Sequence, residues 1–269
     1  MVSQQATGGH GISNTTHSPH DARFIDSPAG KGLVMFIHGF MGSPGQFSGL
    51  TEVVHREGYA AACLLLPGHN CSARAFASGT AETWQRHVDA EISRYSRDYS
   101  DIILVGHSMG GLLALNAAVR FSDHVRGAFI IASPFKLAVF SVKASLSRIR
   151  FVLSRKSDPK KAVSLAGISV KITPGLILHI VKPFRELKKL MKTTKNILPD
   201  VRVPVTAVYS RSDELSSFAS LGILRSGLGD TLFGQVVLSK ASHAYFPENE
   251  RVMIETALID ALHNCSLAE

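Results

Sequence analysis

Short apolar runs alternate with amphipathic stretches along most of this 269-residue chain. Leu33–Ile37 is apolar throughout and is closed by His38 and Gly39, a profile typical of a strand buried within a parallel sheet. Similar runs that end at turn-forming residues predict further strands at residues 59–66, 101–105, 125–132, 203–209 and 235–238. The chain is therefore predicted to carry six strands.

Helices are predicted between these strands where apolar residues recur three or four positions apart. In residues 81–97, Trp84, Val88 and Ile92 fall on one side of a helix, so Trp84 is expected to anchor the core. Met109–Arg120 is apolar on nearly every side and is expected to be a buried helix. Further helices are predicted at residues 46–57, at residues 248–264 and between the last two strands. Repeated strand–helix units predict an α/β fold, with a mainly parallel sheet covered by helices on both faces.

Residues 134–200 interrupt this rhythm and concentrate the positive charge. They hold 15 Lys and Arg but three acidic residues, a net charge of +12 in a chain whose total is +8, so the remainder is net negative. Around Pro183 the pattern becomes that of an amphipathic helix. Its apolar side comprises Phe184, Leu187, Leu190 and Met191, and its basic side comprises Lys182, Arg185, Lys188, Lys189, Lys192 and Lys195. The segment is predicted to be a basic helical insertion over one end of the sheet.

The basic side of this helix has three open interpretations. It can be an ordinary solvated face, it can meet anionic lipid headgroups at a membrane surface, or it can steer acidic substrates. Nucleic-acid binding is the least favoured, because no aromatic residue interleaves the lysines and no recognition motif accompanies them. The sequence thus predicts no nucleic-acid partner and leaves peripheral contact with an anionic membrane open.

Composition narrows the class of protein. With 45% hydrophobic and 19% charged residues, the chain is neither disordered nor collagen-like. Its cysteines (Cys63, Cys71 and Cys265) are odd in number and widely spaced, which indicates a reducing compartment and no disulfide framework. Residues 1–23 are polar and lack the apolar core of a signal peptide, so a flexible tail is expected. No apolar run approaches the ~18 residues that span a bilayer, and a cytoplasmic location is expected.

A nucleophile motif follows the third predicted strand. Gly106-His107-Ser108-Met109-Gly110 matches the pattern G-x-S-x-G. A predicted strand runs directly into it and a predicted helix leaves directly from it, as a nucleophile elbow requires. The flanking glycines avoid clashes that a Cβ would create in so sharp a turn. Ser108 is therefore predicted to be a nucleophile at the carboxyl edge of the sheet, where open α/β folds bind ligands.

A serine nucleophile needs a base that is itself oriented by an acid. In folds with this elbow, the acid and then the base follow the serine along the chain. Asp213 follows the fifth predicted strand and His243 follows the sixth, so both are expected at the same sheet edge as Ser108. Asp213 is the predicted acid, with the adjacent Glu214 as its competitor, and His243 is the predicted base.

Two backbone N–H groups are needed to stabilise an oxyanion. One is predicted to be that of Met109, at the positive end of the elbow helix. The other is predicted to be that of Phe40, in the glycine-containing loop of residues 38–42. His38 and His107 flank these groups and are expected to be packed, hydrogen-bonded histidines. No cofactor or metal is predicted, because no histidine, carboxylate or cysteine cluster has ligand spacing.

These motifs resemble those of the α/β-hydrolase superfamily, above all its small bacterial carboxylesterases and monoacylglycerol-lipase-like enzymes. The similarity covers residues 30–265 apart from the insertion. Its features are His-Gly-Phe-x-Gly at residues 38–42, Leu-Pro-Gly-His at residues 66–69, the elbow extended by Gly111, and the positions of Asp213 and His243. Two positions depart from the family pattern, because Asn70 and Ser242 stand where glycine is common.

The resemblance implies an α/β-hydrolase fold, a Ser–Asp–His triad and a helical cap between the sixth and seventh strands of the fold. The predicted organisation is a tail at residues 1–23, a core formed by residues 24–133 and 201–269, and a cap at residues 134–200. The expected activity is hydrolysis of a small acyl ester through an acyl-enzyme on Ser108. Thioester hydrolysis or acyl transfer, and carbon–carbon bond hydrolysis, are alternatives on the same triad. A non-enzymatic binding module is the least favoured, because all three triad positions are filled.

Overall fold

The computed structural model describes residues 18, 20–27, 29–138 and 176–266 of the chain. Most of the predicted tail and residues 139–175 of the predicted cap lie outside these described residues. The described residues form a seven-stranded sheet with helices on both faces. The α/β-hydrolase architecture predicted from the sequence is therefore confirmed, while the predicted tail and cap boundaries stay predictions.

Six of the seven strands run parallel, and the first pairs antiparallel with the third. The order across the sheet is β1-β3-β2-β4-β5-β6-β7. The strands are β1 Arg23–Ile25, β2 Leu33–Ile37, β3 Ala60–Leu64, β4 Ile102–His107, β5 Val125–Ile131, β6 Val205–Ser210 and β7 Leu232–Leu238. Since Ile37 lies opposite Gly106 in the register of β2 and β4, the loop after β2 and the predicted elbow meet at one edge.

All six predicted strands are present, and their ends differ from the predicted ones by up to three residues. β6 begins after Pro204, because proline has no N–H to donate to a sheet ladder. β4 continues through His107, which extends the strand into the elbow motif itself. The additional strand, β1, is only three residues long and begins at Arg23, the last residue of the predicted tail. A strand this short leaves little periodicity to detect in a sequence.

Seven α-helices lie in the described residues. They are α1 Ser48–Arg56, α2 Ala73–Ala77, α3 Ala81–Tyr95, α4 Met109–Arg120, α5 Leu176–Ile197, α6 Ala219–Leu228 and α7 Glu248–Ser266. A tight 3₁₀ turn at Pro44–Phe47 takes the place of the predicted first turn of α1. The short α2 was not predicted, and α5 continues through Pro183 where the sequence predicted a helix starting. None of these helices has the length and apolar composition that crossing a membrane requires.

The sheet separates two apolar layers, as the alternation of side chains along buried strands dictates. In β2, Leu33, Met35 and Ile37 pack with α3 to α6, while Val34 and Phe36 pack with α1 and α7. Trp84 of α3 is fully buried and its indole N–H donates to the carbonyl of Pro67 at 3.0 Å. The prediction that this tryptophan anchors the core is therefore confirmed.

Helix α5 lies between β5 and β6 along the chain. It is held against the core by polar as well as apolar contacts. Leu187 and Leu190 are buried against α3 and α4. The Asn116 amide of α4 donates to the Thr194 hydroxyl of α5 at 2.5 Å, and both side chains are buried. The Glu186 carboxylate accepts the first backbone N–H of α3, which would otherwise lack a partner. These contacts fix which side of α5 faces outward.

Candidate active site

Ser108 sits in a strained turn between β4 and α4. Its backbone has φ 54° and ψ −118°, a region that costs a non-glycine residue about 1–3 kcal/mol. The conformation is held by the parallel sheet, because the Ser108 N–H donates to the carbonyl of Ile131 on β5 at 2.8 Å. The hydroxyl therefore projects from the carboxyl edge of the sheet, as the G-x-S-x-G motif predicts.

The glycines around this turn are required by close backbone approach. A Cβ on Gly106 would lie 2.5 Å from the carbonyl oxygen of Gly110, and a Cβ on Gly110 would collide with the carbonyl of Ile37. A Cβ on Gly39 would lie 3.0 Å from the Ser108 Cβ. The loop after β2 is thus pressed directly against the turn that carries the serine.

A continuous hydrogen-bond chain links three buried side chains at this edge. The Ser108 hydroxyl donates to His243 Nε2 at 2.9 Å. The His243 Nδ1–H donates to Asp213, with Nδ1 2.9 Å from Oδ2 and 3.1 Å from Oδ1. The three residues are 6%, 7% and 9% exposed in the order Ser108, His243, Asp213. The structure thus brings together the three residues that the sequence placed on separate strand ends.

Asp213 is kept ionised although it is buried. Burial by itself raises the pKa of this carboxyl group, but the hydrogen bond and the electrostatic attraction from the His243 ring lower it. The backbone N–H groups of Leu215 and Ser216, each 2.8 Å from Asp213 Oδ1, lower it further, and the resulting pKa is below the ordinary value. A buried carboxylate in this state fixes the His243 ring with Nδ1 protonated and Nε2 facing the serine.

The neighbouring carboxylate, Glu214, has a different position. Its Oε2 accepts the backbone N–H of His243 at 3.0 Å, whereas Asp213 accepts from the His243 ring.

The loop carrying His243 is also held by Glu250 at the start of α7. The buried Glu250 carboxylate accepts the N–H groups of Ser239 and Lys240 at 2.8 Å, and that of Ala241 at 2.6 Å.

Two backbone N–H groups near Ser108 have no acceptor among the described residues. Met109 is the first residue of α4, so its N–H is not used within the helix. The N–H of Phe40 is likewise unused, whereas the N–H of Gly39 donates to the Gln46 side chain and that of Gly42 donates to the carbonyl of Gly39. The two predicted oxyanion donors are thus available, at the positive end of a helix and in the loop against the serine.

Two buried histidines hold the loop that contains Phe40. The His69 Nε2 accepts the N–H of Met41 at 3.2 Å, and its Nδ1–H donates to the carbonyl of Leu66 at 3.2 Å. The His38 Nε2 accepts the N–H of Leu66 at 3.1 Å, and its Nδ1–H donates to the carbonyl of Gly39 at 2.9 Å. Each ring uses one donor and one acceptor, so both are neutral and in a fixed tautomer. His69 was not singled out as a site residue by the sequence.

His107, before the serine, is also packed and neutral. The His107 Nε2–H donates to the carbonyl of His243 at 2.9 Å. The His107 ring therefore supports the loop that carries His243 and does not compete with His243 for the role of base. Burial, and then the neighbouring His243, lower the pKa of His107 to about 4. The predictions that His38 and His107 are packed, hydrogen-bonded histidines are confirmed.

Unfolding should become easier as pH falls from about 6.5 to about 4, because these histidines resist protonation in the fold. Burial lowers the pKa of His69 to about 4, as for His107, against about 6.5 in an unfolded chain. Their folded-state pKa values are depressed, so this stability is present above pH 6.5 and is lost on acidification. The free energy of unfolding is expected to drop by about 1–2 kcal/mol per histidine at pH 5.

Urea denaturation at several pH values tests this expectation. His69→Gln should weaken the pH dependence relative to the wild type, because one buried titrating ring is removed. An unfolding free energy that stays constant between neutral and mildly acidic pH would contradict the neutral, buried state of these rings.

The site residues that the sequence did not single out are Glu250 and His69, which hold loops at the site through main-chain hydrogen bonds. Glu214, named from the sequence only as a competing acid, also binds the main chain, at the N–H of His243. The one signal in the sequence was the Glu-rich start of α7, where acidic side chains favour a helix N-terminus. Among residues 20–138 and 179–265 that the structure describes, no group of His, Cys, Asp and Glu side chains is arranged to hold a metal ion.

Comparisons with known proteins give the same family. Residues 34–255 match a family described as the alpha/beta hydrolase family. A thermostable monoacylglycerol lipase from Bacillus sp. (strain H-257) is 23% identical over 221 residues, which cover 82% of this chain and 86% of the lipase.

Two solved structures share this fold at low sequence identity. A structure of metagenome-derived lipolytic enzymes, LipS and LipT, superposes with a TM-score of 0.70 at 22% identity, covering 91% of this chain and 98% of its own. The monoacylglycerol lipase of Paleococcus ferrophilus superposes with a TM-score of 0.66 at 18% identity, again covering 91% and 98%.

Proposed function

Because this chain is an esterase- or lipase-like member of the alpha/beta hydrolase family, we propose that it hydrolyses carboxylic esters through an acyl-enzyme on Ser108. The observation that carries the proposal is the buried chain from the Ser108 hydroxyl through His243 to Asp213, with both contacts to the ring at 2.9 Å. A serine hydroxyl is a weak nucleophile at neutral pH, and this chain supplies the base and the orienting acid that it needs.

Acylation uses each of these groups in turn. Ser108 Oγ attacks the acyl carbon while its proton passes to His243 Nε2, and the Asp213 carboxylate stabilises the imidazolium that forms. The carbonyl oxygen becomes an oxyanion, to which the N–H groups of Phe40 and Met109 donate. His243 then gives its proton to the departing alcohol oxygen, the carbon–oxygen bond of the ester breaks, and the acyl group remains on Ser108.

Deacylation repeats these steps with water. A water molecule attacks the acyl carbon while His243 Nε2 takes its proton, and the same two N–H groups bind the second oxyanion. The bond to Ser108 Oγ breaks as His243 returns the proton to that oxygen. The carboxylic acid is released and the enzyme is restored.

An apolar acyl group is the substrate part that the surroundings favour. The ring of Phe40 makes edge contacts with Phe76, Trp84 and Phe184, at centroid distances of 5.0, 6.3 and 6.5 Å. Phe40 and Phe184 are only partly buried, so they offer apolar surface beside the predicted oxyanion loop. We propose that the acyl chain lies along this aromatic group, and that acylglycerols are among the substrates because one relative is a monoacylglycerol lipase.

Initial rates on p-nitrophenyl esters from acetyl to palmitoyl, together with a monoacylglycerol, test the proposal. We expect hydrolysis with one preferred chain length, since the apolar surface beside Phe40 is finite. If the protein hydrolysed thioesters but none of the oxygen esters, the result would favour a thioesterase over a carboxylic ester hydrolase. Turnover of none of these compounds by folded protein would contradict it.

A further inference from the structure

We propose that the outward side of α5 is a docking surface for the headgroups of an anionic lipid bilayer. The inference rests on the proposed function, because it names the surface at which an ester hydrolase would meet lipid substrates. The surface, called here the basic face, consists of Lys182, Arg185, Lys188, Lys189, Lys192 and Lys195.

The basic face is continuous and opposite the packed side of the helix. At 100° per residue its six members fall within an arc of roughly 140°, and they extend for about 20 Å along the axis. The buried residues Pro183, Leu187, Leu190 and Thr194 lie on the other side. All six cationic side chains are exposed. Since α5 is tied to α3 and α4 by Glu186 and Thr194, the direction of this face is fixed relative to the core.

The charges on this face are not neutralised within the described part of the chain. None of the six cations makes an ion pair there, whereas Arg86, Arg120 and Arg126 elsewhere on the surface each pair with a carboxylate. The nearest acidic residue on α5 is Glu186, whose carboxylate accepts the Ala81 N–H. Lys188 Nζ does lie 5.1 Å from the centroid of the Phe184 ring, but this contact leaves its charge in place. Six positive charges on one helix side, none in an ion pair with a described residue, make a strong, local field that an anionic surface complements.

A bilayer fits this surface better than a nucleic acid does. Proteins that bind single strands present aromatic rings on which bases stack, and the aromatic residue of α5, Phe184, faces the core next to Phe40. The exposed residue that precedes the lysines is instead aliphatic, Val181 at 47% exposure. Basic residues with apolar neighbours on one side of a helix are typical of contact with lipid headgroups.

The basic face also has a defined relation to the candidate site. Phe184 lies on the inner side of α5, with its ring 6.5 Å from that of Phe40 in the predicted oxyanion loop. One helix diameter, about 10 Å, therefore separates the basic face from this loop. Docking through α5 would hold the aromatic surface beside Ser108 close to the lipid.

Co-sedimentation with vesicles tests the proposal without involving catalysis. The full chain carrying Ser108→Ala is mixed with vesicles of phosphatidylcholine alone, or with phosphatidylglycerol as one third of the lipid. Binding is expected only to the anionic vesicles and should weaken as salt is added. Because this variant is expected to hydrolyse nothing, failure to bind and failure of the proposed ester hydrolysis are separate results.

A charge-matched pair of variants locates the binding surface. Replacing Arg185, Lys188, Lys189 and Lys192 by Gln should weaken vesicle binding by more than about a hundredfold, since each basic residue contributes about fivefold near an anionic membrane. The control replaces four exposed cations elsewhere (Lys31, Arg56, Arg97 and Arg202) by Gln and should bind nearly as the parent does. When the two sets are introduced into the chain that retains Ser108, both should leave hydrolysis of a soluble ester unchanged.

Three results would overturn the proposal. They are equal binding to neutral and anionic vesicles, equal weakening by the two sets of substitutions, and no binding to anionic vesicles, whether or not an oligonucleotide binds.

Discussion

Ser108→Ala is expected to lower kcat/KM for esters by about 10⁴- to 10⁶-fold while leaving the protein folded. The Ser108 hydroxyl is the group proposed to form the bond to the acyl carbon, and the substitution removes it from the site. What remains should come from the oxyanion donors and from substrate binding. Steady-state rates, with circular dichroism to check the fold, measure the effect.

A buried serine in the same region provides the matched control. Ser133 is fully buried beside the elbow helix, and its hydroxyl has no hydrogen-bond partner in the described residues. Ser133→Ala also removes a serine hydroxyl from a buried position, and it should keep activity within a few-fold of the wild type. Comparable losses in both variants would mean that Ser108 acts through packing and not as the nucleophile.

Asp213→Asn is expected to lower kcat by about 10³- to 10⁴-fold with the fold intact. An amide at this position donates a hydrogen to His243 Nδ1, which leaves the proton on Nε2. That tautomer cannot accept the proton of the Ser108 hydroxyl. The loss should appear in kcat more than in KM, because the substrate contacts are unchanged.

Glu214→Gln distinguishes the two candidate acids. The Glu214 carboxylate accepts the backbone N–H of His243 at 3.0 Å, and the amide oxygen of Gln can accept the same bond. We therefore expect less than about a tenfold effect on kcat. A larger loss from Glu214→Gln than from Asp213→Asn would assign the acid role to Glu214.

The features that the sequence predicted well are those with strong local signals. Buried parallel strands appear as uninterrupted apolar runs, as in Leu33–Ile37. The glycines around Ser108 follow from steric limits that act within a few residues of the turn. Asp213 and His243 follow strand ends, and parallel strands bring those ends to one edge, so their meeting point could be predicted without knowing any distance.

The features that the sequence could not give depend on contacts between distant segments. Asp213 and Glu214 are adjacent and chemically alike, and only the path of the loop after β6 decides which one faces the ring. Glu250 and His69 bind main-chain N–H groups, which leave no pattern in the side chains. The continuation of α5 through Pro183 depends on packing against the core, which outweighs the local preference of proline for a helix start.

The departure at Asn70 is explained by the structure. Asn70 has φ +54°, a left-handed conformation that glycine adopts freely and asparagine tolerates better than most residues. Its amide also donates to the Asp21 carboxylate at 3.1 Å. The substitution therefore keeps the backbone path after β3 and adds a contact to the segment before β1.

The most direct test of the account is covalent labelling with diethyl p-nitrophenyl phosphate, followed by peptide mass spectrometry. The reagent phosphorylates an activated serine and releases p-nitrophenolate, and the phosphoryl group then leaves slowly. We predict one equivalent of p-nitrophenolate per chain, a diethylphosphoryl group on Ser108, and loss of esterase activity in step with labelling. A label on another residue, or full activity after Ser108 is modified, would contradict an acyl-enzyme at this serine.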